Sequence, residues 1–320
     1  MWKTITVKKR PLRRWLIAAV LVVLLFTVAG GVGKAILEDS ELRWAVRHQL
    51  IQLDSRYLGG LLRRLYRGES LPELPDDLPL PRPGAYMWLP SQDFFPIAHR
   101  AGPYMMTGPN SERTILRALN NGFRIIEVDL TLTRDDRLVC YHGEEGENLN
   151  ALGFEDYAAK RAAEGTSPCE FNDLLRLART NPGAIFVLDV KNRFDEAYDF
   201  MRGAIESPEI GRVFIPQLYF FEQLERFRRD PFFGGVIFTS YKTALTTEQI
   251  IHYARATGVA VVTLTLPRLM EIIDDLPADL VVLTHPVDQP GEAFRLRGAG
   301  VRGIYTSDLG PDTAPELFGD

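Results

Sequence analysis

The sequence predicts an α/β protein, a (β/α)8 barrel carried behind an N-terminal transmembrane helix and a juxtamembrane helical region. Three observations carry that reading. An uncharged run of 19 residues lies near the N-terminus, a proline-rich stretch separates it from the rest, and the remaining 228 residues alternate eight short β-branched runs with helix-like stretches.

The first 14 residues are basic and are expected in the cytoplasm. From Trp15 to Gly33 no charge occurs, and at about 1.5 Å per residue the run spans roughly 28 Å, one hydrocarbon core. Lys8, Lys9, Arg10, Arg13 and Arg14 precede it, whereas Lys34 is followed by Glu38, Asp39 and Glu41. That asymmetry predicts a single-pass signal-anchor with everything after it extracytoplasmic. Ala29 and Gly31 are small enough for a processing site, so a cleaved signal peptide is the alternative.

Residues 34–92 form the connection. Leu42, Val46, Leu50, Leu53, Tyr57, Leu61 and Leu65 recur every three or four positions among arginines, which predicts an amphipathic helical region. Its apolar stripe either packs on the main domain or lies on lipid headgroups. The run from Leu71 to Pro83 is too rich in proline for helix or internal strand and reads as an extended linker.

The domain over 93–320 supplies the barrel. Its strand candidates are Phe95–Ala98, Ile125–Thr131, Ile185–Val190, Val213–Leu218, Val236–Thr239, Val259–Leu264, Leu280–Leu283 and Gly303–Thr306. Leu138–Tyr141 follows Asp135 and Asp136 closely enough to fold back on the second strand as a hairpin. Helices are expected over Thr114–Asn121, Phe171–Ala178, Phe194–Ile205, Glu248–Ala256 and Leu269–Asp274. A doubly wound sheet is the alternative, but no glycine-rich phosphate loop follows the first strand.

Composition narrows the function. With 46% hydrophobic and 25% charged residues the chain is neither disordered nor fibrous. Residues 1–34 hold seven basic side chains and no acid, leaving 30 basic against 42 acidic residues, a formal charge of -12, on the remainder. Nucleic acid is therefore excluded as the expected partner of the barrel. Cys140 and Cys169 match no metal-binding spacing and are expected either as one disulfide or as two buried thiols.

Chemistry in such a barrel sits at the C-terminal strand ends. The first strand ends at His99 and Arg100, the second contains Glu127 and Asp129, its extension reaches His142, and the third ends in Asp189 and Lys191. Glu127 and Asp129 are two apart, as are Asp189 and Lys191, so each pair projects from one strand face. Three carboxylates make a hard-oxygen site for Mg²⁺ or Ca²⁺, or else pair with Arg100 and Lys191 in a structural ion network. Two histidines beside such a cation supply what phosphodiester cleavage needs, one proton acceptor and one donor.

The series Ile97-Ala-His-Arg-Ala-Gly102, Ser111-Glu-Arg-Thr114, Ile126-Glu-Val-Asp-Leu130, Tyr141-His142, Leu188-Asp-Val-Lys191 and Gly300-Val-Arg-Gly-Ile-Tyr-Thr-Ser-Asp308 resembles the motif series of the glycerophosphodiester phosphodiesterase family. The resemblance runs from about Asp93 to Leu309 and implies a metal-assisted barrel similar to phosphatidylinositol phospholipases C. It implies His99 and His142 as catalytic histidines, Arg100 and Lys191 as phosphate-binding residues, and Glu127, Asp129 and Asp189 as ligands of one divalent cation. Glu112 matches an acid that orients the site or approaches the metal. The sequence departs from the family pattern at His-Arg-Ala, Ser-Glu-Arg-Thr, His142-Gly143 and Asp189-Val-Lys191, and none of these removes a histidine or a ligand. Tyr-His-Gly and Asp-x-Lys are also similar to the sphingomyelinase D group.

The expected function is thus a membrane-anchored, metal-dependent hydrolase of a glycerophosphodiester or lysophospholipid. The alternatives are a sphingomyelinase D-like enzyme and an inactive binding barrel.

Overall fold

The computed structural model of the protein describes residues 86–102, 108–228, 230, 232–243 and 245–318. The expected membrane anchor, amphipathic region and proline-rich linker lie outside the described residues. Among the described residues no helix is long and apolar enough to cross a membrane.

Eight parallel strands among the described residues close on themselves. In order round the barrel they are β1 (Phe95–Ala98), β2 (Ile125–Leu132), β4 (Ile185–Val190), β5 (Phe214–Leu218), β6 (Ile237–Thr239), β7 (Val261–Thr265), β8 (Val281–His285) and β9 (Gly303–Thr306). Strand β1 pairs with both β2 and β9, so the sheet keeps no free edge there. The short β3 (Leu138–Cys140) folds back antiparallel on the end of β2, with Leu130 opposite Cys140 and Leu132 opposite Leu138.

Both faces of these strands are buried, which is why they read as nearly continuous apolar runs. Phe95, Ile97, Ile125, Val187, Ile215, Ile237, Val261, Leu283 and Tyr305 fill the lumen as one cluster. Their neighbours, among them Ala98, Ile126, Val128, Leu188, Phe214, Phe238, Val262 and Ile304, face the helices as another. Polarity rises toward the C-terminal strand ends. Thr239 Oγ1 donates to Gln217 Oε1 at 2.8 Å and the Tyr305 hydroxyl donates to the same oxygen at 3.2 Å, forming a hydrogen-bonded layer above the apolar floor.

The surrounding helices include α1 (Glu112–Asn120), α2 (Phe154–Ala163), α3 (Phe171–Thr180), α4 (Phe194–Ala204), α5 (Pro208–Gly211), α6 (Leu224–Arg228), α7 (Thr247–Thr257), α8 (Leu266–Leu269), α9 (Pro290–Gly298) and α10 (Pro315–Phe318). Helix α1 starts two residues before the expected Thr114 because Ser111 caps it, its hydroxyl accepting from Thr114 N at 3.2 Å. Helix α2 was not expected, since Tyr157 and Arg161 are its only buried side chains and its apolar period is weak. The helix expected over Leu269–Asp274 is displaced. Pro267 starts α8 a turn earlier, and after Leu269 the chain tightens into turns, with Glu271 N bonding Arg268 O and Ile272 N bonding Leu269 O.

Cys140 and Cys169 form a disulfide, with Cα atoms 5.3 Å apart. The bridge joins the end of β3 to the residues before α3, and Cys140 N also donates to Cys169 O at 2.8 Å. Arg161 donates from Nη2 to Cys140 O at 2.7 Å and from Nη1 to Pro109 O at 3.0 Å, so one buried guanidinium ties β3 to the loop that precedes α1.

Candidate active site

The site begins where β1 ends. Arg100 and Ala101 take left-handed backbone conformations, with φ of 53° and 62°, an uncommon choice for residues with a Cβ. The turn aims the Arg100 backbone N–H at Glu127, whose Oε2 accepts it at 2.7 Å. Asn110 N donates back to Arg100 O at 3.0 Å. Asn110 is itself left-handed, which its short polar side chain tolerates. Its Nδ2 donates to Asp129 Oδ2 at 2.8 Å while its Oδ1 accepts from Asp129 N at 3.0 Å.

Strands β2 and β4 bring the acids together. Their register sets Asp129 beside Asp189 and Glu127 one pleat below. Oxygens of Glu127, Asp129 and Asp189 all lie within 4.8 Å of one another, and all three side chains are buried. Lys191 Nζ bridges the two aspartates, 2.6 Å from Asp129 Oδ1 and 2.7 Å from Asp189 Oδ2. Arg100 Nε is 3.3 Å from Asp129 Oδ2. Three carboxylates thus meet two cations.

The titration behaviour follows from that imbalance. Burial, then Asp129 and Asp189, push Glu127 well above the usual carboxylate range. Burial would raise Asp129 too, but Lys191, His142 and Arg100 together hold it low. Asp189 is lowered chiefly by Lys191, against burial and Asp129. Two tyrosines missed in the sequence complete its shell: Tyr219 donates to Asp189 Oδ1, and Tyr241 donates to Asp189 Oδ2 at 3.0 Å. Tyr219 follows β5 directly and Tyr241 stands two residues past Thr239 at the end of β6, so the period-two rule that found Asp189 extends to them. In an apolar text such as Leu218-Tyr-Phe-Phe221 they read as core.

His99 lies half-buried beside the acids. Burial lowers its pKa to about 4, more than the Asp129 charge raises it. Its ring stacks on His285, centroids 5.8 Å apart with 17° between planes. His142 stands at the solvent-exposed rim, its Nδ1 2.9 Å from Gly143 O, near enough to Asp129 to feel its charge. Desolvation nonetheless lowers its pKa.

The structure therefore gathers His99, Arg100, Glu127, Asp129, His142, Asp189 and Lys191 at one barrel mouth. Glu112 stands apart. As the first residue of the helix capped by Ser111 it points outward, where its Oε2 is 2.7 Å from Arg176 Nη2 at an exposed surface. Asn110, two residues earlier, holds Asp129 instead.

Residues 99–155 match the model described as the Glycerophosphoryl diester phosphodiesterase family. That match spans the turn after β1, then α1, β2 and β3, the segment that supplies both histidines and two of the acids. Among solved structures, the chain is similar to a glycerophosphodiester phosphodiesterase from Parabacteroides distasonis, with 19% identity, TM-score 0.59, and coverage of 70% of this chain and 97% of that one. A glycerophosphodiester phosphodiesterase from Thermotoga maritima gives 16% identity, TM-score 0.53 and coverage of 70% and 98%. An Oleispira antarctica phosphodiesterase in complex with the product sn-glycerol-3-phosphate gives 14%, 0.54, and 72% and 98%. At these identities the likeness establishes the shared barrel. No protein with a curated description matches the sequence significantly.

The donor set fits a divalent cation: every available ligand is a hard carboxylate oxygen, and burial with the two neighbouring aspartates raises the pKa of Glu127, as expected where positive charge is short. Calorimetric titration of the full chain with Mg²⁺ or Ca²⁺ is expected to show one site. Asp129→Asn and Asp189→Asn are each expected to abolish it. A silent titration of the wild type, or unchanged binding in both variants, would make the cluster a structural ion network.

Proposed function

We propose that this chain is a metal-dependent phosphodiesterase that hydrolyses a glycerophosphodiester or lysophospholipid. The observation that carries the reading is the convergence of two imidazoles, two cations and a carboxylate triad at the C-terminal mouth of the barrel. The family match over 99–155 supports it, as does the product held by the Oleispira antarctica relative.

In this reading Arg100 and Lys191 flank the phosphoryl group and offset charge developing on its oxygens. Glu127, Asp129 and Asp189 would hold a divalent cation, which when bound would further neutralise that charge. His99, kept neutral at physiological pH by burial, takes the proton from the attacking oxygen of water or of a substrate hydroxyl. As that oxygen bonds to phosphorus, the bond from phosphorus to the leaving alcohol oxygen breaks. His142 delivers a proton to the departing oxygen from Nε2, since its Nδ1–H is directed to the Gly143 carbonyl. The assignment follows the environments: the more desolvated ring resists protonation most, and the rim ring has solvent to reload it.

We further propose that Trp15–Gly33 anchors the barrel on the extracytoplasmic side. The basic flank before the run and the Cys140–Cys169 disulfide both support this placement, because such bridges persist in oxidising compartments. A topology reporter fused after Asp320 is expected to register outside the cytoplasm; a cytoplasmic signal overturns the placement.

The catalytic reading is tested on glycerophosphocholine and lysophospholipid, with sphingomyelin for comparison. His99→Ala and His142→Ala are each expected to lower turnover by about 10²–10⁴-fold while divalent-cation binding survives. The double variant should lose far less than the product of the two effects. The wild-type acid limb of kcat/KM should fall well below pH 6.5, because His99 accepts its inhibitory proton only at lower pH. Near-normal turnover in both single variants, or no hydrolysis of any diester by the wild type, defeats the proposal.

A further inference from the structure

One buried side chain reaches both halves of the proposed machinery. Arg161 of α2 is only 2% exposed, and its charge is met by Glu164 Oε2, 2.6 Å from Nη1. Its Nη2 donates to Cys140 O and its Nη1 to Pro109 O. Pro109 directly precedes Asn110, which grips Asp129 through both ends of its amide. Cys140 lies two residues before His142. Tyr141, between them, is pinned to β2: its N donates to Asp129 O at 2.9 Å and its O accepts from Thr131 Oγ1 at 2.7 Å. The rings of Tyr141 and Tyr157 flank the guanidinium, their centroids 5.4 and 5.3 Å from its Cζ.

Charge is costly to bury, and apolar side chains of similar size often replace a buried ion pair without loss of stability. Stability is therefore a weak reason for a guanidinium here. What the group adds is a rigid planar fork that fixes two acceptors relative to each other. Those acceptors are the last carbonyl of β3 and the carbonyl that leads into Asn110. We infer that Arg161 is a positioning residue, which sets the general acid His142 in register with the cation-binding Asp129. The Cys140–Cys169 bridge holds the same strand end through the residues before α3 and has no member in the Asn110 loop, so it acts on the acid alone. This inference rests on the phosphodiesterase reading, in which His142 protonates the leaving oxygen, and deepens it by naming the residue that fixes where that proton is offered.

The test combines turnover of two diesters with calorimetric titration of Mg²⁺, all on the full chain. Glycerophosphocholine releases an alkoxide that needs the acid, whereas the glycerol 3-phosphate diester of 4-nitrophenol releases a stable phenolate that needs it little. At saturating Mg²⁺, Arg161→Met is expected to slow the first about 10–100-fold and the second by less than about 2-fold. It should also weaken Mg²⁺ binding by about 10-fold, because Asn110 then holds Asp129 loosely. The double variant Cys140→Ala, Cys169→Ala should show the same selective loss on glycerophosphocholine with Mg²⁺ binding unchanged. In a His142→Ala background, Arg161→Met should add no further selective loss, since both changes then act on one missing proton. Arg161→Lys keeps the charge without the fork and should behave like the methionine variant; if the latter fails to fold, the lysine variant decides the matter. Equal losses on the two diesters, unchanged Mg²⁺ affinity in the Arg161 variants, or a selective loss that persists without His142 overturns the inference. Failure of the phosphodiesterase reading appears separately, as a wild type that hydrolyses neither diester.

Discussion

Crowding of negative charge in a closed lumen is the constraint on which the rest of this site depends. Parallel pairing places Asp129 beside Asp189, and the pleat places Glu127 below them, so three buried carboxylates occupy one end of the barrel. Isolated buried charges cost several kcal/mol or more, and such groups persist only with partners. Lys191 and Arg100 are those partners, and they are one charge short. That shortfall raises the proton affinity of Glu127, and a divalent cation would remove it.

Much of the local architecture can be understood as keeping those acids in place. The left-handed turn at Arg100 directs a backbone N–H to Glu127, Asn110 grips Asp129 through both ends of its amide, and Tyr219 and Tyr241 cover the two oxygens of Asp189. Arg161 and the disulfide then hold the Asn110 loop and the His142 strand from behind. Below the acids lie the hydrogen-bonded Gln217, Thr239 and Tyr305 and then an apolar floor, so the charged groups are confined to the open mouth of the barrel. The histidines differ because their depths differ: His99 is half-buried and His142 lies exposed at the rim.

The barrel was legible because each strand, buried on both faces, leaves a short apolar run between turn signals, and the acids were legible because the period of two is strict. Glu127 with Asp129 and Asp189 with Lys191 needed nothing more. Asn110 was not legible, since its role comes from a left-handed loop conformation that its sequence neighbours do not announce. Glu112 was misplaced for a related reason: the cap at Ser111 sets which way the first helical residue points, and the motif resemblance carried no such direction. His285 escaped because the expected strand stopped at Leu283, two residues short, and Tyr219 and Tyr241 because aromatic residues beside apolar runs look like core.

The central claim is that the lumen acids hold a divalent cation whose charge Lys191 and Arg100 cannot supply. It is tested most directly by crystals grown with Mn²⁺ or Ca²⁺ and examined for anomalous scattering. The account predicts one peak among Glu127, Asp129 and Asp189, at about 2.0–2.6 Å from an oxygen of each, with Lys191 Nζ withdrawn from at least one aspartate. No peak there, with Lys191 still bridging Asp129 and Asp189, would contradict it.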